Sequence, residues 1–293
     1  MSLIRTLTSR RSLARGTALY GSEKLLLLSL VSAHPDSRLL SNRDILKYVW
    51  LIRLLLTRGC NLYIQQNQTV LHKAAILGHV QCARLMAELG VNINVVENYF
   101  ETIPLHHAAY NGHPRCVRLL IGLGANIDAK DNCYETPLYK AAQRNCINCV
   151  KLLIRCGADV NVKDNGGGDT ILHWIAHHGH IDCVRTLVEM GANVNAKNYY
   201  NETPLYSAAT KGHTDCVRLL LELGANVNAL DRNNSTPLHQ AVFCEYADCV
   251  RVLLEYNADI NIKNKNNNTP LKIAELRNFI NGIILLCKAM GTN

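Results

Sequence analysis

The chain has 293 residues with 31 Lys+Arg, 23 Asp+Glu and twelve Cys. Its formal charge of +8 is uneven: residues 1–66 hold 10 basic and 3 acidic side chains, residues 67–293 hold 21 and 20. The body therefore lacks the basic face that neutralises nucleic-acid phosphates, which argues against a nucleic-acid partner. Its longest apolar run, the nine residues Leu25–Ala33, falls short of the roughly 18 to 20 that span a bilayer.

In chain order, residues 1–20 read as a disordered basic arm. Arg5, Arg10, Arg11 and Arg15, with no acid before Glu23, give a mitochondrial transit peptide as an alternative, and Leu25–Ala33 faintly matches a secretory apolar segment. Residues 21–66 read as an extension plus a degenerate capping repeat. Leu51–Gly59 has the pattern of a second helix, but the small-residue position before it is Arg43-Asp44.

From residue 67 one leucine recurs at Leu71, Leu105, Leu138, Leu172, Leu205, Leu238 and Leu271, at steps of 33 or 34. Such a period marks a repeat architecture. Around it stand Thr, usually Pro, Leu, often His, Ala-Ala, Gly-His, Cys-Val-Arg-Leu-Leu and Gly-Ala-Asn-Val-Asn. Thr before Pro starts a first helix, and Leu205 shares a face with Ala208 and Ala209. Gly212 stops that helix. Cys216, Val217, Leu219 and Leu220 form the stripe of a second helix, which Gly224 ends. An extended Asn-rich stretch then runs to a projecting turn.

These residues, from 67 to about 290, resemble the ankyrin repeat, with repeats starting near 67, 100, 134, 168, 201, 234 and 267. The resemblance implies an all-α solenoid of helix-turn-helix units with projecting β-hairpin fingers, and a non-catalytic protein-binding role. The family commonly has Gly at the finger turn. Asn67, Asn201, Asn234 and Asn267 tolerate positive φ there, whereas Phe100 and Tyr134 are expected to bend their fingers differently. Ile103 is an insertion between Thr102 and Pro104, and Gly166–Asp169 holds one residue more than its counterparts. At the C-terminal end Gly282 replaces the recurrent cysteine, as expected of an atypical capping repeat.

Six cysteines, Cys82, Cys116, Cys149, Cys183, Cys216 and Cys249, occupy one repeat position. Stacked repeats put them roughly 10 Å apart, beyond disulfide reach, so they read as reduced core residues and the chain as cytoplasmic, with the nucleus possible. His173, His177, His178 and His180 form the densest set of potential ligands. His173 and His180 are repeat positions, however, so the set reads as structural or solvent-facing rather than as zinc. Cys146 and Cys149 read as packing, not as a redox pair. No nucleophile–base–carboxylate set is unique to a pocket, so neither catalysis nor a cofactor is expected.

The remaining signal lies in variable positions on the first helices and finger tips. Tyr99, Phe100, His107, Tyr110, Tyr134, Lys140, Arg144, Trp174, His177, Tyr199, Tyr200 and Lys211 form the candidate partner-binding strip on the concave side, because aromatic and Arg residues dominate binding hot spots. Trp174 and Tyr134 have no folding role that the sequence reveals. The partner is expected to be another protein, bound by a monomer. A ubiquitin-ligase adaptor role is the alternative, although neither the roughly ten residues after the last repeat nor the first 46 carry a recognisable ligase-binding segment.

Overall fold

The computed structural model describes residues 69–291. The basic arm and the degenerate first repeat lie outside the described residues. Packing divides the chain into two units, Met1–Asn126 and Ile127–Asn293. Helices come in pairs. The first unit holds α1 (Val70–Leu77) with α2 (Val80–Glu88), and α3 (Pro104–Tyr110) with α4 (Pro114–Gly122). The second holds α5 (Pro137–Gln143) with α6 (Ile147–Arg155), α7 (Ile171–His178) with α8 (Ile181–Glu189), and α9 (Pro204–Lys211) with α10 (Thr214–Glu222). It continues with α11 (Pro237–Phe243) and α12 (Ala247–Glu255), then α13 (Pro270–Leu276) and α14 (Ile280–Ala289).

Helices of seven to ten residues are too short to persist alone, so side-by-side packing must hold them. In the first unit α1 packs on α3 and α2 on α4. In the second, first helices stack in the order α5, α7, α9, α11, α13 and second helices as α6, α8, α10, α12, α14. The core lies between these layers. Leu172, Ile175 and Ala176 of α7 are buried with Cys183, Val184 and Leu187 of α8, and the same set recurs in each interior pair. The Cys116, Cys149, Cys183, Cys216 and Cys249 thiols are fully buried and outside any disulfide, while Cys82 is half-buried. Burial raises Cys82, Cys116, Cys183, Cys216 and Cys249, pushing Cys116, Cys183 and Cys216 to about 12, which leaves these thiols unreactive.

The local signals act as the sequence implies. The Thr136, Thr203, Thr236 and Thr269 side chains each accept a hydrogen bond from the amide three residues on, a cap worth about 1 kcal/mol. Ile103 takes the cap position of α3, and the displaced Thr102 donates to Glu97 instead. The fingers are turns rather than β-hairpins. Strand pairing among the described residues is limited to isolated bridges, Lys163 with Thr170 in antiparallel and one at Thr69.

One expectation about the fingers fails. Tyr134 adopts φ +63°, the same left-handed turn as Asn201 at +60°, Asn234 at +56° and Asn267 at +60°. The turn is held by Asp131, whose Oδ1 accepts the Cys133 and Glu135 amides, each at 2.9 Å, so geometry overrides the side chain's preference. In the finger before α3 the inserted Ile103 shifts the left-handed residue to Glu101, φ +56°, and Phe100 escapes it. The last repeat shows a compensating exchange. A Cβ on Gly282 would lie 2.2 Å from the Phe279 ring, so the phenylalanine that replaces the turn histidine excludes the recurrent cysteine. Leu276 and Ile280 of this repeat are 64% and 63% exposed, so its outer face is not polar.

Buried histidines tie each finger to its neighbour. Thr69 N–H donates to His72 Nδ1 at 3.2 Å, and His72 Nε2–H donates to the Thr102 carbonyl at 3.1 Å. His173 repeats this between Thr170 and Glu202, and His239 between Thr236 and Asn268. Both ring nitrogens are used, which fixes the neutral Nε2–H tautomer. Tyr206 stands at the same repeat position, and its hydroxyl reaches Gln240 Oε1 at 3.1 Å.

Two outcomes are expected. Leu172 is buried in the middle of the second unit, whereas Leu271 at its end is half-buried. Leu172→Ala should cost about 2 to 5 kcal/mol and Leu271→Ala less; equal losses in urea melts would contradict the stacking described. Burial lowers His72 from 6.5 to about 4, and lowers His173 and His239. The unfolded chain then binds protons that the folded chain refuses, so this stability is complete above about pH 6.5 and lost toward pH 4. At about 1.4 kcal/mol per pKa unit, His72 alone accounts for about 3 kcal/mol. The urea midpoint should fall between about pH 7.5 and 5, where carboxylates stay ionised; a flat midpoint would contradict neutral clamps.

Candidate functional surface

In the first unit the finger before α3 presents Tyr99, 72% exposed, and Phe100, with ring centroids 5.0 Å apart in an edge-on pair. Tyr110 at the end of α3 is exposed. His107 is half-buried and engaged with the finger base, its Nε2 lying 3.0 Å from Thr102 Oγ1 and 3.4 Å from Glu97.

In the second unit the exposed Tyr134, Tyr199 and Tyr200 stand on fingers. Each carries a cation over its ring: Lys130 at 5.3 Å from the Tyr134 centroid, Lys163 at 5.8 Å from Tyr199 and Arg232 at 5.6 Å from Tyr200. Such pairs at exposed sites are worth about 0.5 to 1 kcal/mol. Backbone bonds order two of these tips, Tyr199 N–H to Gly167 O at 2.7 Å and Arg232 N–H to Tyr200 O at 2.8 Å. Tyr199 also has a packing role, because a Cβ on Gly168 would lie 2.5 Å from its ring.

Lys140 belongs to its own repeat more than to a partner. Its ammonium is 2.7 Å from Asp131 Oδ2 and also bonded to Glu135. Burial lowers it, but the hydrogen bonds to the two carboxylates outweigh that and raise it overall. Arg144 and Lys211 are exposed where α5 and α9 end, positions at which a cation complements the helix dipole.

Trp174 has a folding role after all. It is half-buried, edge-on to Tyr139 of the preceding repeat at 6.2 Å and stacked on His178 at 3.8 Å, 20° from parallel. His177 is half-buried, 5.1 Å from the His178 ring. Burial, followed by Lys211, lowers His177. Among the described residues no three His, Cys, Asp or Glu side chains converge as metal ligands, and no helix is long and apolar enough to cross a membrane.

The Asn-Val-Asn stretches do more than run to the turn. The second Asn reaches the next repeat: Asn195 Nδ2 donates to Gly224 O at 3.2 Å, and its Oδ1 accepts from Asn226 N–H at 2.7 Å. Asn94 does the same toward Gly124 and Asn126 in the first unit. The signal was the recurrence of a second Asn, unexplained by the turn itself.

No curated protein matches this chain by sequence. A family model described as ankyrin repeats (three copies) matches residues 45–131, 105–198, 138–231, 197–264 and 223–293. Among solved structures, the human ASB11 ankyrin repeat domain is 28% identical, with a TM-score of 0.66 over 74% of this chain and 98% of that one. The ankyrin repeat domain of Bcl-3, described as a unique member of the IkappaB protein family, is 30% identical, with a TM-score of 0.67 over 75% and 100%. An ankyrin repeat domain from Acinetobacter baumannii AYE is 33% identical, with a TM-score of 0.59 over 65% and 98%. The stacked helix pairs, capped by threonine and clamped by buried histidine, and the match over most of the sequence lead to one conclusion: the chain belongs to the ankyrin-repeat family.

Proposed function

We propose that the protein is a non-catalytic scaffold that binds another protein through the finger tips and first-helix ends of its repeats. The observation that carries this is the set of large aromatics on the fingers, Tyr99 and Phe100 in one unit and Tyr134 and Tyr200 in the other. Packing accounts for the framework residues, yet these side chains keep apolar surface in water, as hot spots do before a partner covers them. Tyr134 is the clearest case, since it holds a left-handed turn that Asn or Gly would occupy with less strain. The five fully buried thiols fit a protein of the cytoplasm, where thiols stay reduced. The functional unit is proposed to be a monomer without a cofactor.

Tyr134→Asn separates binding from folding. The variant should melt at the same urea concentration or higher, because Asn accepts positive φ. Partner capture on the immobilised full chain should weaken, and combination with Tyr200→Ala should weaken it further. A hot-spot aromatic is worth about 2 kcal/mol, roughly thirtyfold in affinity. Loss of stability in Tyr134→Asn would show the ring to be structural, and a stable double variant with undiminished capture would remove the fingers from the interface.

A further inference from the structure

Within the second unit, the ends of α7 and α9 gather six side chains, of which His180 and His213 are the turn histidines of the repeat framework and the other four vary from repeat to repeat. Trp174 and His178 stack at 3.8 Å, His180 lies parallel to His178 at 6.2 Å and His177 lies 5.1 Å from it. His213 reaches across the repeat, its Nε2–H donating to the His177 carbonyl at 3.0 Å. Lys211 ends α9. His178 and Lys211 are exposed and the other four half-buried, so the group is ordered yet open to solvent.

We propose that Trp174, His177, His178, His180, Lys211 and His213 form a docking patch for an acidic segment of a partner protein, gripped more tightly as the solution is acidified. This rests on the scaffold reading and names the chemistry of the partner.

Charge complementarity favours such a partner. The first helices α5, α7, α9 and α11 contain no Asp or Glu. Cations at helix C-termini complement the dipole, which accounts for Lys211 and for one histidine at the end of α7. It does not account for a second histidine on α7 stacked against an indole beside the framework's own His180. The facing groups are few. Asp169, in the finger before α7, acts on His177 but is held by Asn198 Nδ2 at 2.8 Å, and Asn198 Nδ2 also donates to Glu202 at 3.0 Å. Lys140 of α5 is engaged by Asp131 and Glu135. Asp182 and Asp215 lie in the first turns of α8 and α10. Burial and then neighbouring cationic groups lower both His177 and His180, so protonation of the cluster is opposed by its own members.

A partner's carboxylates would relieve that opposition. They would favour the protonated forms of His177 and His180, which the free protein opposes, so binding takes up protons and affinity climbs as the pH falls. The indole and imidazole faces can receive apolar side chains between the carboxylates. A nucleic acid fits less well, because phosphate binding needs many permanent cations and the patch has one.

The test uses the full chain carrying Trp50→Phe, which leaves Trp174 as its one indole. A short labelled peptide of glutamate and leucine is titrated by anisotropy and Trp174 emission at about pH 7.5 and 6, where circular dichroism shows the fold intact. Binding should tighten on the order of tenfold at the lower pH and move the indole emission. Lys211→Glu, at an exposed site, should abolish it, and His177→Gln, which keeps the backbone carbonyl that His213 uses, should flatten the pH dependence without changing the melt. Absence of binding, equal binding of the glutamine counterpart, or a pH-independent affinity would overturn the proposal. Equally strong competition by an oligonucleotide would replace it with a general polyanion site. A chain that ignores the acidic peptide yet loses partner capture when Tyr134 and Tyr200 are changed overturns this inference alone; no capture at all overturns the scaffold reading as well.

Discussion

A neutral imidazole buried at the third residue of a first helix is the constraint on which the array depends. It accepts an amide of its own repeat and donates to a carbonyl of the next finger, as His72, His173 and His239 do. The second bond cannot be made by a repeat standing alone. A helix of seven or eight residues therefore acquires its N-terminal order and its neighbour through one side chain, and the short elements become cooperative only as a stack. The ring histidine at the helix-to-helix turn adds a second link, from His113 to the Ile76 carbonyl in one unit and from His213 to the His177 carbonyl in the other.

The same arrangement explains how function can vary without disturbing the fold. Framework atoms are used up by one another: thiols are buried on the second helices, asparagines bridge to the following repeat, and acids such as Asp131 and Asp231 are spent as acceptors inside finger turns. What remains outward is the tip aromatics with their cations and the indole–imidazole group at the ends of α7 and α9. Substitutions there meet solvent or a partner, whereas substitutions in the clamps meet the neighbouring repeat.

Much of this was legible in the sequence because repetition makes each local signal recur until chance is excluded. The recurrent leucine, the capping threonines and the unpaired cysteines all needed no tertiary knowledge. The failures share one cause, which is that a residue was judged without its neighbours. Tyr134 was expected to avoid a left-handed turn, but Asp131 holds the loop whatever the side chain. Lys140 looked available, yet its two carboxylates lie in the finger just before it. Trp174 looked like pure contact surface, although Tyr139 and His178 already pack it. The asparagine bridges appear only when repeats are stacked.

The central claim is that buried imidazoles hold the stack as locked neutral clamps. Nitrogen-15 resonances of the histidine side chains, followed from about pH 7.5 to 5, test it directly. The account predicts that His72, which burial lowers to about 4, keeps the signature of a neutral ring protonated at Nε2 throughout. A His72 ring that turns to imidazolium within this range, or that is protonated at Nδ1, would contradict it.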